Sequence, residues 1–297
     1  MNPTINLKTP LIRLTNLEKT LGWTGQLWAK CEFQNPTGSF KDRGSVVEIN
    51  QALKQNKKGV VCASTGNLAI SVAAFATQKN LPCVVFIPQQ TSSNKLKQAT
   101  TRGAVLKKVI NYDQCVIKAK QFASQQNYFL CGNYELRRYG QSNIGLELAT
   151  SGIDFDTFVV PVGNGTLGCS IAEGFAVYGK FPQFLGVQGL GADPVYRAWK
   201  KNKVITQIKK PQTVASSICI GNPMDGKLTL AWIKRTRGQM VAVTDKQIID
   251  AQKFLAKTEG IYVETAAATT LAGLQKTKTK IQALTVVLIL TGSGLKE

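Results

Sequence analysis

No histidine occurs among the 297 residues. That absence removes every histidine-based catalytic triad and the commonest ligand of transition metals. Proton transfer in this chain falls to Lys, Asp, Glu, Tyr or a borrowed cofactor. Paired cysteines are missing too. The seven thiols, Cys31, Cys62, Cys83, Cys115, Cys131, Cys169 and Cys219, are odd in number and widely spaced, with no CxxC. This argues against a disulfide framework or a zinc site, and predicts buried small hydrophobes in a reducing compartment. Long hydrophobic runs are also absent. The best, residues 284–290, is far too short to span a bilayer. The first ten residues are polar and lack the apolar stretch of a signal peptide. A soluble cytoplasmic protein with no membrane partner is expected.

Acidic side chains are scarce: 17 Asp and Glu stand against 37 Lys and Arg, a net charge of +20. Alone, that charge suggests a polyanionic partner such as RNA. The basic residues are scattered, however, in small clusters such as 57–58, 107–108, 200–201, 209–210, 234–235 and 276–280. Most sit at predicted helix ends or turns, where cations suit the helix dipole. No basic stripe is interleaved with aromatics, so the charge reads as a solvated surface and argues against a nucleic-acid partner.

What is present is a 43% hydrophobic composition, enough for a core in one large or two smaller domains. From residue 44 onward, strands alternate with helical patterns. Helices are predicted over 44–57, 67–79, 94–101 and 112–126, and strands over 59–63, 82–87, 104–109 and 128–130. The second half repeats the architecture without repeating the sequence. Its predicted strands are 157–162, 184–188, 239–243, 260–263 and 284–290, and its helices 167–179, 245–258 and 266–275. Residues 200–222 resist assignment. The pattern defines an α/β fold of two open, mainly parallel twisted sheets, each flanked by helices. No low-complexity linker separates the halves, so the sheets are expected to meet at a cleft. In such folds ligands sit beyond the carboxyl ends of strands, in the strand-to-helix turns.

Four turns carry chemistry. In NPTGSFKDRG, residues 35–44, Asn35, Pro36 and Gly38 force a turn and Ser39 is a plausible N-cap. Lys41 then lies just inside a helix start, where positive potential opposes protonation and keeps its amine nucleophilic toward a carbonyl. In STGN, residues 64–67, backbone N–H groups, the Ser64 and Thr65 hydroxyls and the Asn67 amide can point at a ligand. In GNGTLG, residues 163–168, glycines let backbone N–H groups approach a phosphate. In TGSG, residues 291–294, a hydroxyl follows the last strand. Each alone has an ordinary structural explanation. Together, an amine, a hydrogen-bonding turn, a phosphate cradle and a hydroxyl match one ligand with an aldehyde, a phosphate and a ring nitrogen: pyridoxal 5'-phosphate.

These residues resemble the fold-type II pyridoxal-phosphate enzymes of the tryptophan synthase β-like superfamily, and within them the threonine synthase family. The likeness covers nearly the whole chain, from Thr9-Pro10-Leu11 through NPTGSFKDRG, STGN, PVGNGTLG and Ile220-Gly221-Asn222-Pro223 to the terminal TGSGLK. It implies that Lys41 is the Schiff-base lysine and proton shuttle. It implies that Phe40 lies beside the ring, Asn67 bonds the 3′-oxygen, Gly163, Asn164, Gly165 and Thr166 wrap the phosphate, and Thr291 meets the pyridine nitrogen. A hydroxyl there leaves that nitrogen largely neutral, compatible with elimination and replacement at the β or γ carbon. Ser64, Thr65, Gly66 and Asn67 are then the substrate-carboxylate turn, with Arg137 and Asn164 holding a substrate phosphate. The implied division is a large cofactor-binding domain of 1–43 plus 138–297 and a small substrate-side domain of 44–137, in a homodimer with the cofactor in the cleft between domains.

The implied reaction converts O-phosphohomoserine and water to threonine and phosphate. The sequence departs from the family at Leu68, Gly132, Ala267 and Ser293, where polar groups are usual. Each lost charge-assisted contact weakens phosphate binding by roughly 1–3 kcal/mol. A related β-elimination or β-replacement enzyme, of the serine/threonine ammonia-lyase or cysteine synthase kind, is therefore the alternative. A polyanion-binding protein without activity is the third reading, opposed by the intact Lys41, Asn67 and Thr291.

Overall fold

The computed structural model describes residues 7–91, 94–132, 134–281 and 284–296. They form two compact units: one built from Asn35–Gln141 with Leu7 and Lys296, the other from Lys8–Gln34 and Ser142–Leu295. The chain begins in the second unit with β1 (Leu11–Arg13), α1 (Thr15–Leu21) and β2 (Gln26–Lys30). It then builds the first unit: α2 (Lys41–Lys54), β3 (Gly59–Ala63), α3 (Asn67–Thr77), β4 (Cys83–Pro88), α4 (Asn94–Thr101), β5 (Ala104–Val109), α5 (Tyr112–Gln126) and β6 (Tyr128–Leu130). Helix α6 (Tyr134–Ala149) leads back. The second unit is completed by β7 (Thr157–Pro161), α7 (Thr166–Ala176), β8 (Gln183–Gly189), α8 (Pro194–Lys201), α9 (Gly226–Arg235), β9 (Gln239–Val243), α10 (Asp245–Glu259), α11 (Thr265–Ile281) and β10 (Thr285–Ile289).

The first unit holds a sheet of order β5-β4-β3-β6, parallel throughout. Strands such as GVVCA and CVVFIP are buried along nearly their whole length, as a parallel sheet covered on both faces requires. Helix α3, NLAISVAAFAT, packs its small apolar residues into the same core as Val60, Cys62 and Val85. The sheet of the second unit has the order β1-β2-β10-β7-β8-β9. Its strands run parallel except the edge strand β1, which pairs antiparallel with β2. The α/β architecture of two mainly parallel, helix-flanked sheets is thus the one the sequence predicts.

Two features differ in detail. Residues 260–263 form no strand: Gly260 ends α10 at φ +68°, α11 starts at Thr265, and only Val263 bridges to Ser293. So short a link between two helices has no length for a ladder. The unit boundary also lies elsewhere than at 43/44. Residues 35–43 belong with the first unit, because Lys41 opens a helix that continues unbroken to Lys54.

The sequence pattern does not mark helix α6, and its glycines explain why. A Cβ on Gly140 would sit 2.2 Å from the Arg43 carbonyl oxygen, and one on Gly145 would sit 2.2 Å from that of Ile171. Glycine here serves close packing at the expense of helix propensity.

Cys31, Cys62, Cys83, Cys115, Cys131 and Cys169 are buried and Cys219 is half-buried, all as free thiols. Burial pushes Cys31 and Cys83 up to about 12 and Cys62 and Cys131 well above the usual thiol range. A thiolate-specific reagent is therefore expected to titrate Cys219 alone in the native protein and all seven thiols after denaturation. Rapid native labelling of a second cysteine, mapped by peptide mass, would contradict this burial. Among the described residues no helix is long and apolar enough to cross a membrane.

Candidate functional site

In the first unit, Lys41 is the first residue of α2. The turn before it is tied by Asp42. The Thr37 amide donates to Asp42 Oδ2 at 2.7 Å and the Thr37 hydroxyl to Oδ1 at 2.5 Å. Gly38 takes φ +75° and donates its N–H to the Asn35 carbonyl at 2.7 Å. Burial raises the Asp42 pKa, against the opposing pull of the Thr37 and Ser71 hydrogen bonds and the Lys296 charge. Lys41 Nζ stands 4.5 Å from the centroid of the Phe40 ring, so Phe40 forms one wall of the lysine's surroundings. Ser39 does not cap the helix. Phe40 occupies the N-cap position with αR angles and no side-chain cap bond, and the buried Ser39 Oγ has no hydrogen-bond partner among the described residues. The helix starts at Lys41, so Phe40 and not Ser39 falls at the N-cap, and Ser39 stands one residue too early to cap it.

The STGN turn opens α3 at Asn67. The Gly66 N–H donates to Ser64 Oγ at 3.3 Å, and a Cβ on Gly66 would meet nothing within 4 Å. Space is therefore left at this helix N-terminus. Asn67 is anchored by a residue outside the predicted site. Lys296 Nζ, buried, donates to Asn67 Oδ1 at 2.7 Å and to the Thr37 carbonyl at 3.2 Å. An ammonium only donates, so the Asn67 oxygen must face Lys296 and its NH2 must turn the other way. One buried lysine thus joins the Thr37 turn to the Asn67 amide.

Arg137 is buried in an ion pair. Its Nη2 lies 3.0 Å from Glu48 Oε2, whose side chain is wholly buried, and 3.4 Å from Ser45 Oγ. Glu48 Oε1 accepts the Gly132 N–H at 2.6 Å. Gly132 is needed there for another reason than lost polarity, since its φ is +112°. The Arg137 Nε and Nη1 atoms find no acceptor among the described residues. Leu68 packs on the core of this unit.

In the second unit, β7 delivers the GNG turn to the start of α7 at Thr166. Gly165 has φ +91°, and a Cβ there would lie 2.2 Å from Thr229 Oγ and 3.0 Å from the Asp225 carbonyl oxygen. The segment before α9 closes over the turn. Asp225 N–H donates to the Asn164 carbonyl at 2.9 Å, Met224 N–H to Asn164 Oδ1 at 3.3 Å, and the Thr166 hydroxyl to Asp225 Oδ2 at 2.6 Å. The first N–H groups of α7 have no intrahelical acceptor, which makes this helix start suited to an anion. Gly165→Ala is expected to cost about 1–3 kcal/mol of stability and to weaken cofactor binding at least 10-fold, read by denaturant unfolding and by cofactor titration. Unchanged values in both would refute a built cradle.

Thr291 is buried just past β10. Gly292 lies against buried Glu264: a Cβ there would be 2.5 Å from Glu264 Oε2, and the Glu264 N–H donates to the Gly292 carbonyl at 2.9 Å. Sequence reasoning missed Glu48, Asp225 and Lys296 as supports of these turns. The first two carried no signal, whereas Lys296 ends the TGSGLK motif.

The first unit offers a helix-borne lysine beside an aromatic ring, an oriented amide and an open turn, and the second unit an anion-suited turn at positive φ. Each is a kind of group that pyridoxal phosphate demands, and on an α/β fold they point to the class of enzymes that use this cofactor. The chain matches the family described as pyridoxal-phosphate dependent enzyme over residues 4–292, and it belongs to that family. It is similar to threonine synthase of Methanocaldococcus jannaschii, 38% identical over 97% of this chain and 75% of the relative. Against threonine synthase of Mycobacterium bovis it is 34% identical, over 97% and 82% of the two chains. In fold it is similar to the processed threonine deaminase isoform 2 of Solanum lycopersicum, with a TM-score of 0.86 and 23% identity over 98% and 81% of the chains. It is likewise similar to maize serine racemase, with a TM-score of 0.84 and 24% identity over 97% and 88%. The chain is a pyridoxal-phosphate-dependent enzyme.

Proposed function

We propose that this enzyme is a threonine synthase, converting O-phosphohomoserine and water to threonine and phosphate. The observation that carries the reading is the 38% identity to a threonine synthase over 97% of this chain, together with the intact Lys41 turn. When bound, the cofactor withdraws electrons from the substrate α-carbon, so that an α-hydrogen can leave as a proton.

The chain's residues do the rest. Lys41 would hold the cofactor through its amine and carry protons to and from the substrate. Phe40 and the Asn67 amide fix the ring, the latter oriented by Lys296. Gly163, Asn164, Gly165 and Thr166 hold the cofactor phosphate, supported by the left-handed Gly165 and the α7 N-terminus. Thr291 supplies a hydroxyl to the ring nitrogen. Ser64, Thr65, Gly66 and Asn67 receive the substrate carboxylate, and Arg137 and Asn164 the substrate phosphate. The Arg137 Nε and Nη1 atoms without acceptors support its part. The reading includes a cytoplasmic homodimer. The exposed Val177, Tyr178 and Phe181 support self-association, which light scattering would test.

The deciding experiment supplies O-phosphohomoserine to the cofactor-loaded protein and measures phosphate and threonine together. Equal amounts of both are expected. Release of phosphate with a 2-keto acid instead of threonine would favour the elimination alternative. No release of either would reject the reading.

A further inference from the structure

The second unit holds a cavity of about 520 Å³ that none of the proposed cofactor or substrate residues lines. That volume lies within the roughly 300–1,000 Å³ of small-molecule sites. Its walls come from β1, β2, the end of α6 and the chain just after that helix. At its polar side is Lys30, only 2% exposed, whose Nζ donates to the Thr9 carbonyl at 2.6 Å and to Glu147 Oε2 at 2.5 Å. An ammonium has three N–H donors, and these two acceptors take two of them. Lys8, exposed, adds a second cation, and Glu147 retains 18% of its side-chain exposure. The lining also carries apolar side chains, Leu11, Trp28 and Ile153 among them.

This combination selects its occupant. A simple anion meets the Glu147 carboxylate, a simple cation meets Lys30 and Lys8, and a hydrocarbon places apolar surface against charged groups. A zwitterion with an aliphatic tail satisfies all three surfaces. Its carboxylate faces Lys30 and Lys8, its ammonium faces Glu147, and its tail lies on Leu11, Trp28 and Ile153. The geometry points to a second, non-catalytic binding site for an aliphatic amino acid. It has a route to the cofactor residues of the same unit, since the Lys30 carbonyl accepts the N–H of Leu290, the residue before Thr291, at 3.0 Å.

The test is calorimetric titration of the borohydride-reduced holoenzyme, in which the cofactor is locked on Lys41 and the catalytic site is blocked. The probes are L-leucine, leucinamide, which lacks the carboxylate, and 4-methylpentanoate, which lacks the ammonium. L-leucine is expected to bind saturably, with both analogues at least 10-fold weaker. Ile153→Trp, which adds bulk at an apolar lining residue while keeping Lys30 and Glu147, and Glu147→Gln are each expected to weaken L-leucine at least 10-fold. Melting curves confirm that both variants fold. If Glu147→Gln does not fold, Ile153→Trp and the analogue series decide. No heat from L-leucine, equal binding of the three probes, or binding unaffected by Ile153→Trp would overturn the proposal. Leucine binding seen only before reduction would assign it to the catalytic site and overturn it as well.

Discussion

Replacing Lys41 with Ala is expected to remove the visible absorption band of the cofactor-loaded protein and to lower threonine formation by roughly 1,000-fold or more, the scale of losing a positioned acid–base group. Lys41 is placed for this by its chain neighbours. Asp42 ties down Thr37 through two hydrogen bonds, Gly38 takes the left-handed turn, and α2 begins at the lysine itself. Lys296 is the informative control. It is buried and bonded to Asn67 Oδ1 and the Thr37 carbonyl, beside the turn that precedes Lys41. Lys296→Met should therefore keep the band while weakening cofactor affinity. A band that survives Lys41→Ala and disappears in Lys296→Met would reverse the assignment of the two lysines.

Replacing Glu48 with Ala is expected to destabilise the protein by about 3–5 kcal/mol, the range for removing one partner of a buried ion pair. The loss has two parts. The Arg137 guanidinium, 4% exposed, keeps its charge without the carboxylate 3.0 Å away. The Gly132 N–H, fixed by a backbone at φ +112°, loses its acceptor. The pair itself need not stabilise the fold relative to apolar residues. The double variant Glu48→Leu, Arg137→Met is expected to recover most of the loss. Chemical denaturation of the two variants checks this, and a single variant within about 0.5 kcal/mol of the parent would refute a buried, paired Glu48.

What the sequence made legible were the turns. Gly, Asn and hydroxyl residues between β-branched runs are local signals, and STGN, GNGTLG and the Lys41 segment lie at helix starts as expected. What stayed illegible depends on distant partners. The Lys296–Asn67 bond joins residues 229 apart, and no local pattern marks a lysine as buried. Glu48 reads as a polar helix residue until Arg137 and the Gly132 amide are placed around it. Helix α6 was hidden because Gly140 and Gly145 lower propensity where tertiary packing needs them. Ser39 shows the converse error: a good capping residue one position too early, with Phe40 at the N-cap.

The central claim is that Lys41 carries the cofactor. Borohydride reduction of the loaded protein, digestion and peptide mass spectrometry test it directly. The account predicts a phosphopyridoxyl group on the peptide containing Lys41, in near-stoichiometric amount and absent from Lys41→Ala. The same group on Lys296, on Lys30 or spread over surface lysines would contradict it.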